Sequence, residues 1–278
     1  MFVSRDGYAC SDFKGFTLLM PAVSVGNVGQ LAIDLVISTL CMPRVGYFYT
    51  DCLVPMVGNN PYATTEEDAT ELCINAEVYA KTSKELVVLQ IRSPFIKNKY
   101  RLFCQILLSW VKNSGFSKIV FLSSSHAYQR NDQQLHGTSF RYLISPAVDK
   151  TMEDILERLS GSELEQISAF PGTNDDKIFY IPGGGITKLL FTESCSKGIP
   201  LVVLLKFCSE GDNIPDAFAL ADYLNETLPL IAPQIWKGNI STILESCCQP
   251  HSTQCKVSLY YLFGVEIEQN ASADYLCV

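Results

Sequence analysis

The chain has 278 residues, of which 47% are hydrophobic and 18% charged, and its formal net charge is −8. That length supports one large α/β domain or two small ones, and the composition excludes a disordered chain. The acidic balance argues against a nucleic-acid backbone or an anionic membrane as the main partner, while leaving proteins with a basic patch open.

The first element is an apolar strand, Phe16–Met20, followed by the turn Pro21-Ala22-Val23-Ser24-Val25-Gly26-Asn27-Val28-Gly29. Val28, Leu31, Ala32, Leu35 and Val36 then recur at helical spacing, which predicts a helix over 26–40 closed by Pro43 and Gly46. Residues 45–50 read as a buried strand. The loop 51–63 carries Leu53, Val54, Met56 and Val57 among Pro, Gly and Asn, too apolar for a merely solvated connector. An acidic turn over 64–70 precedes a hairpin of strands at 72–79 and 86–91. Leu102, Phe103, Ile106, Leu107 and Trp110 share one face and predict a helix over 99–113, stopped near Gly115. A strand at 117–123 leads into a polar loop over 124–137, and a short acidic helix is expected at 151–159. Residues 160–176, poor in apolar side chains and holding Gly161, Pro171 and Gly172, read as a flexible insertion. A strand at 178–181 enters Pro182-Gly183-Gly184-Gly185, followed by a helix from Thr187 to Cys195. Residues 199–207 form the most hydrophobic strand and are expected at the sheet centre. Pro215 opens a last helix, to about Leu228.

Strands alternate with helices throughout, and several strands are continuously apolar. The pattern predicts an α/β fold: a single three-layer α/β/α sandwich over 1–232 with a largely parallel or mixed sheet, and a separate tail over 233–278. The runs 31–42 and 199–207 are far too short to span a bilayer, so no membrane partner is expected. The opening Met1–Asp6 carries charge without a following apolar run, and the eleven cysteines are scattered without paired spacing. A cytoplasmic and nuclear protein is therefore expected, and the N-x-[ST] matches at Asn225, Asn239 and Asn270 read as chance.

Five segments resemble chemistry without completing it. Gly26-x-x-Gly29 with Asp51 beyond the next strand approximates a dinucleotide fingerprint, but Ser24 stands where the first glycine belongs. Ala22-Val23-Ser24-Val25-Gly26 approximates a hydrolase elbow, yet it follows the first strand and only His126, His136 and His251 are available as bases. Ser123-Ser124-Ser125-His126, followed by Arg130 and Asp132, sets polar groups at a strand end, although adjacent Ser and His side chains seldom meet as nucleophile and base. Gly183-Gly184-Gly185 with Thr187 and Lys188 inverts the order a phosphate loop needs. Cys247, Cys248, His251 and Cys255 match no zinc spacing. No catalytic residue, cofactor or metal is assigned, and a nucleoside- or nucleotide-handling enzyme using the Gly26–Gly29 turn stays open as the alternative.

As a set, these turns carry a family resemblance. Residues 15–32, Gly46-Tyr47-Phe48-Tyr49-Thr50-Asp51 and Val57-Gly58-Asn59-Asn60-Pro61-Tyr62 closely resemble proteasome assembly chaperones. So do Ser123–His126, Tyr128–Asp132, Ile181–Lys188 and Ser209–Asp216, in order, over about 15–225. The resemblance implies an α/β/α domain shaped like nucleoside phosphorylases but lacking enzymatic activity. It implies a heterodimer with proteasome assembly chaperone 1 that binds α-subunits of the core proteasome, promotes the α-ring and blocks off-pathway ring dimers. Leu53, Val54, Met56 and Val57 become candidate partner surface. Some relatives end in hydrophobic-Tyr-X, which docks between α-subunits. Here the end reads Leu276-Cys277-Val278, with Cys277 in the tyrosine place, and these three residues are the candidate docking tail.

Overall fold

The computed structural model describes residues 1–5, 10–63, 70–159, 162–168 and 177–231. The Cys247–Cys255 segment, the tail Leu276–Val278 and the acidic turn at 64–69 lie outside them.

The main sheet is built from β1 (Phe2–Ser4), β2 (Thr17–Pro21), β3 (Arg44–Phe48), β6 (Ala76–Lys81), β7 (Leu86–Ile91), β8 (Lys118–His126), β9 (Phe140–Ile144), β10 (Ser162–Glu163) and β13 (Leu201–Cys208). Its nine strands run in the order β1-β3-β6-β7-β2-β8-β13-β9-β10. The centre is parallel: β2 pairs with β7 and β8, and β8 pairs with β13. The flanks turn antiparallel, β6 on β7, β3 on β6, β1 on β3 and β9 on β13. The sheet is mixed. Two ribbons lie outside it, β4 (Val57–Asn59) with β5 (Leu72–Ile74), and β11 (Gln166–Ser168) with β12 (Lys177–Phe179).

Side-chain alternation decides which helices cover which face. Leu18, Met20, Ile119, Phe121, Val203 and Leu205 point to one side. There they meet α2 (Tyr100–Ser114) through Phe103, Leu107 and Trp110, and α5 (Thr187–Lys197) through Leu190 and Phe191. Leu19, Val120, Leu122, Val202 and Leu204 point to the other. They meet α1 (Val28–Thr39), α4 (Lys150–Arg158) and α6 (Ile214–Thr227). A short α3 (Asp132–Leu135) lies between β8 and β9. Burying each large aliphatic or aromatic side chain contributes about 1.5–3 kcal/mol, so both helical layers are anchored by the central strands. Local chemistry sets the helix starts: Asp149 accepts the Met152 N–H at 2.9 Å at the head of α4, and Pro215 occupies the first turn of α6. The three-layer α/β/α sandwich expected from the alternation is the observed fold.

Four expectations need correction. Residues 199–207, expected at the centre, supply β13 (Leu201–Cys208), the seventh strand of nine; β2 is the middle one. Continuous burial requires a strand covered on both faces, not a central one. The polar loop expected at 124–137 begins three residues later, because Ser124, Ser125 and His126 continue β8 opposite Lys206, Phe207 and Cys208. The strands β1 and β9 add to the expected elements; β9 runs unbroken through Arg141, a charged residue that hides its apolar character in the sequence. Within the expected insertion, β10 extends the main sheet, Leu164 is buried, and Glu165 accepts from Arg141 Nε at 3.0 Å.

Candidate functional site

Because β2 neighbours β7 on one side and β8 on the other, the chain leaves β2 and β8 in opposite directions. The crevice beyond their carboxyl ends is where an open α/β sheet holds ligands. Three of the enzyme-like segments meet there. Ser24 follows β2, Ser123 to His126 end β8, and the glycine turn 182–185 arrives from the far side, with Val25 N–H donating to the Gly183 carbonyl at 2.8 Å.

The hydroxyl groups in this crevice are spent on the protein itself. Ser124 Oγ donates to the Val25 carbonyl at 2.5 Å, so in its 2.7 Å contact with Ser24 Oγ it is the acceptor. Thr187 Oγ1 donates to the Gly184 carbonyl at 2.5 Å and receives Ser123 Oγ at 2.7 Å. Ser125 Oγ donates to the Pro182 carbonyl at 2.9 Å. Each chain of donation ends on a backbone carbonyl, so no serine is aimed at a base. The His126 ring lies against Tyr128 at 5.0 Å between centroids, and its Nδ1 is buried without a partner.

Two glycines bring backbone against backbone beside these groups. A Cβ on Gly185 would stand 2.2 Å from the Val23 carbonyl oxygen, and one on Gly29 would stand 2.5 Å from that of Leu122. These glycines bring turn against turn and helix against sheet, where a ligand-binding turn would bring backbone against phosphate. Asp51, in the ribose-binding position by sequence, lies beyond β3 and ion-pairs with Lys99 at 2.6 Å. The hydrogen bond from Lys99 holds the Asp51 carboxyl below its ordinary value. Lys188 is exposed on α5. No cluster of metal-ligating side chains occurs among the described residues.

The second candidate is the surface around loop 51–63. Leu53 is only 2% exposed and bridges to Phe95, so it belongs to the core, and its expected place on a partner surface is corrected. Its apolar neighbours differ: Val54 and Val57 are exposed and Met56 is half-buried. Val57 opposes Ile74 and Asn59 opposes Leu72 on the β4–β5 ribbon, whereas Gly58 and Cys73 point the other way. Cys73 is buried beneath, which leaves Val57 and Leu72 on the outward face.

A buried polar network sequence reading missed pins this loop down. Tyr62 OH donates to Asp34 Oδ1 at 2.5 Å and accepts from Arg92 Nη2 at 2.6 Å. Arg92 Nη2 also reaches Asp34 Oδ1 at 2.8 Å, and Gln90 Nε2 donates to the same oxygen at 2.6 Å. Burial drives the Tyr62 hydroxyl well above its ordinary value, against the pull of Arg92. Burial also opposes charge on Arg92, but Asp34 and Tyr62 overcome it and hold the guanidinium firmly protonated. Gln90 and Arg92 continue the alternation of β7 onto the face of α1; that period-2 placement was the available signal.

The fold and its self-bonded strand ends define an α/β/α protein with a large mixed sheet, whose strand-end hydroxyl groups are spent on its own chain. Residues 18–232 match the PAC2 family, and the chain belongs to that family. It is 61% identical to the Bos taurus protein named Proteasome assembly chaperone 2, over 84% of this chain and 88% of that one. It is 60% identical to the Homo sapiens protein of the same name, over 82% of this chain and 86% of that one. Among solved structures, a Thermoplasma acidophilum protein of unknown function superposes with TM-score 0.63 at 14% identity, covering 90% of this chain and 88% of that one. Pyrococcus furiosus PbaA, an archaeal homolog of proteasome-assembly chaperone, gives 0.58 at 16% identity, covering 88% and 95%. At such identities these two carry the fold alone.

Proposed function

We propose that the chain is a proteasome assembly chaperone that works by protein–protein contact and not by catalysis. The observation that carries this reading is the 58–61% identity, over most of the chain, to vertebrate proteins named Proteasome assembly chaperone 2. The geometry supports it from two sides. The crevice where an enzyme would hold its substrate is closed by Ser–Ser, Ser–Thr and glycine-turn contacts, which weighs against the nucleotide-handling alternative. Exposed apolar groups, Val54, Val57 and Leu72, lie instead on a loop and ribbon held in place by buried hydrogen bonds.

In the finer reading the chain is half of a heterodimer with proteasome assembly chaperone 1, acts in cytoplasm and nucleus, and binds α-subunits to promote the α-ring and block off-pathway ring dimers. Leu276, Cys277 and Val278 are its candidate docking tail. Affinity capture of the full chain from cells, followed by mass spectrometry, tests it. Recovery of α-subunits and the partner chaperone supports the reading, and their absence overturns it. Unchanged α-ring binding after deletion of Leu276–Val278 would remove the tail's role alone.

A further inference from the structure

The two edges of the nine-stranded sheet are finished differently. At one end β10 is two exposed residues, Ser162 and Glu163, a short charged edge of the kind that discourages further pairing. At the other, β1 has no proline, no charge and no described strand on its outer side; the Phe2 side chain is buried in the core while Val3 and Ser4 are exposed. The register shows which backbone groups are free. Tyr49 N–H donates to the Met1 carbonyl at 2.9 Å and Arg5 N–H to the Val45 carbonyl at 2.8 Å, with Val3 opposite Tyr47 between them. Residues 1, 3 and 5 therefore spend their main-chain groups on β3. Those of Phe2 and Ser4 point away from the sheet, two residues apart, as an added strand requires.

An apolar skirt borders this edge. Val3 and Tyr47 are cross-strand neighbours, the Arg44 guanidinium lies 5.4 Å from the centre of the Tyr47 ring, and Arg44 Nη1 donates to the Leu72 carbonyl at 2.8 Å. Arg44 and the ion pairs Arg5–Glu71 and Arg44–Glu71 thus tie this edge to the β4–β5 ribbon, and Val3, Tyr49, Leu72 and Val57 on these two elements and the end of β3 are each between 48% and 73% exposed. A folded protein with apolar groups so gathered beside unpaired strand groups is built to receive another strand.

We propose that the free edge of β1 is the docking site for an extended, alternately apolar strand of a partner protein, which lengthens the main sheet and covers Val3, Tyr49, Leu72 and Val57. The occupant is a different chain and not a second copy, because each copy carries a formal charge of −8 and like-charged globules repel. The inference rests on the chaperone reading above and names the surface through which its heterodimer forms.

The decisive variant is Ser4→Pro. It removes an outward N–H and leaves the bonds of β1 to β3 intact, since Ser4 donates none of them. Wild type, Ser4→Pro, Val3→Asp and a Tyr128→Ala control far from this edge are each co-expressed with the partner chaperone, captured and quantified, and amide hydrogen exchange is followed across residues 1–5. The expected result is about ten-fold or greater weakening for Ser4→Pro and Val3→Asp, an unchanged control, and new amide protection at Phe2 and Ser4 in the wild-type complex. Partner capture by Ser4→Pro equal to wild type, or a wild-type complex with no protection at those amides, overturns the inference and leaves the chaperone reading standing. Wild type that captures neither partner nor α-subunits overturns both. Light scattering that shows a wild-type dimer of this chain turned monomeric by Ser4→Pro replaces the proposed occupant with a second copy. If Ser4→Pro fails to fold, Val3→Asp and the exchange measurement decide.

Discussion

Ser24 and Ser124, one hundred residues apart in the chain, hold each other at 2.7 Å across the junction of β2 and β8. The Ser124 N–H also donates to Ser24 Oγ at 3.1 Å, so the pair fastens the turn between β2 and α1 to the end of β8. Replacing Ser124 by Ala strips the Val25 carbonyl of its hydroxyl donor, leaving it the weaker Cys208 Sγ contact at 3.6 Å, and leaves Ser24 Oγ without its hydroxyl partner in a buried place. The expected loss is about 1–3 kcal/mol, read as a lower urea midpoint at unchanged slope. The same filled crevice predicts that inorganic phosphate and adenosine monophosphate leave the wild-type Tm unmoved. A reproducible rise abolished by Ser124→Ala would make the crevice a ligand site after all.

Arg92 is the charge on which loop 51–63 depends. Its side chain is 2% exposed, and its partner Asp34 is 17% exposed. Arg92→Met strands the Asp34 carboxylate against Gln90 and Tyr62 and is expected to destabilise by about 3–5 kcal/mol. Converting Asp34 to Leu in the same chain removes the orphaned charge and is expected to recover a large part of that loss, as a double-mutant cycle would read. Hydrogen exchange in residues 57–63 should rise in the single variant, because Tyr62 loses both its donor and its cation–π contact at 5.3 Å.

The reach of the sequence can be judged from these same groups. Apolar period and glycine punctuation placed the α1, α2, α5 and α6 helices within a few residues, since those helices bury a continuous stripe. The serines after Gly115 were legible as strand-end groups but not as structural ones. Their role depends on the turn at 182–185, brought against them only by tertiary packing, and no local pattern encodes that approach. Leu53 and Val57 are alike in type and four residues apart, yet one is core and the other surface. The difference comes from the Leu53–Phe95 bridge and the β4–β5 pairing, both long-range. Arg141 hid β9 because a buried arginine paired with Glu165 reads, in isolation, as a solvated charge.

Glu71 gives the protein an acid sensitivity with a defined sign. It accepts from Arg5 at 3.2 Å and from Arg44 at 2.7 Å. The Arg5 hydrogen bond chiefly, with Arg44 adding, holds its carboxyl below the ordinary value of 4.5. A carboxyl depressed in the folded state stabilises at neutral pH, and that contribution disappears as pH falls through the depressed value. Stability of wild type and Glu71→Gln should therefore differ at pH 7 and converge as pH falls through the depressed value. The difference should be small because the side chain is 41% exposed and screened.

The buried thiols should be chemically silent. Burial pushes the Cys104 thiol up to about 12 and the Cys208 thiol up to about 11, so neither holds appreciable thiolate at pH 8. Cys41, by contrast, is exposed. N-ethylmaleimide labelling followed by peptide mapping is expected to modify Cys41 within minutes and to reach Cys104 and Cys208 only with global unfolding. Early labelling of Cys104 would mean that α2 opens locally from the sheet.

Val57 and Leu72 separate surface from scaffold most sharply. Both stand on the outward face of the β4–β5 ribbon, 65% and 57% exposed, while Cys73 between them anchors the ribbon by donating to the Asn59 carbonyl at 3.0 Å. Exposed apolar side chains contribute little to folding, so Val57→Asp and Leu72→Asp should each change stability by less than about 0.5 kcal/mol. A desolvated contact with a partner would instead be broken by a buried carboxylate, lowering capture of partner chaperone or α-subunits about ten-fold or more. The measurement is paired: urea melts of the isolated variants, and quantitative capture from the same cell extract. Full stability with lost capture assigns the ribbon to the interface. Full stability with full capture would move the contact to another face and leave these side chains as ordinary exposed hydrophobics.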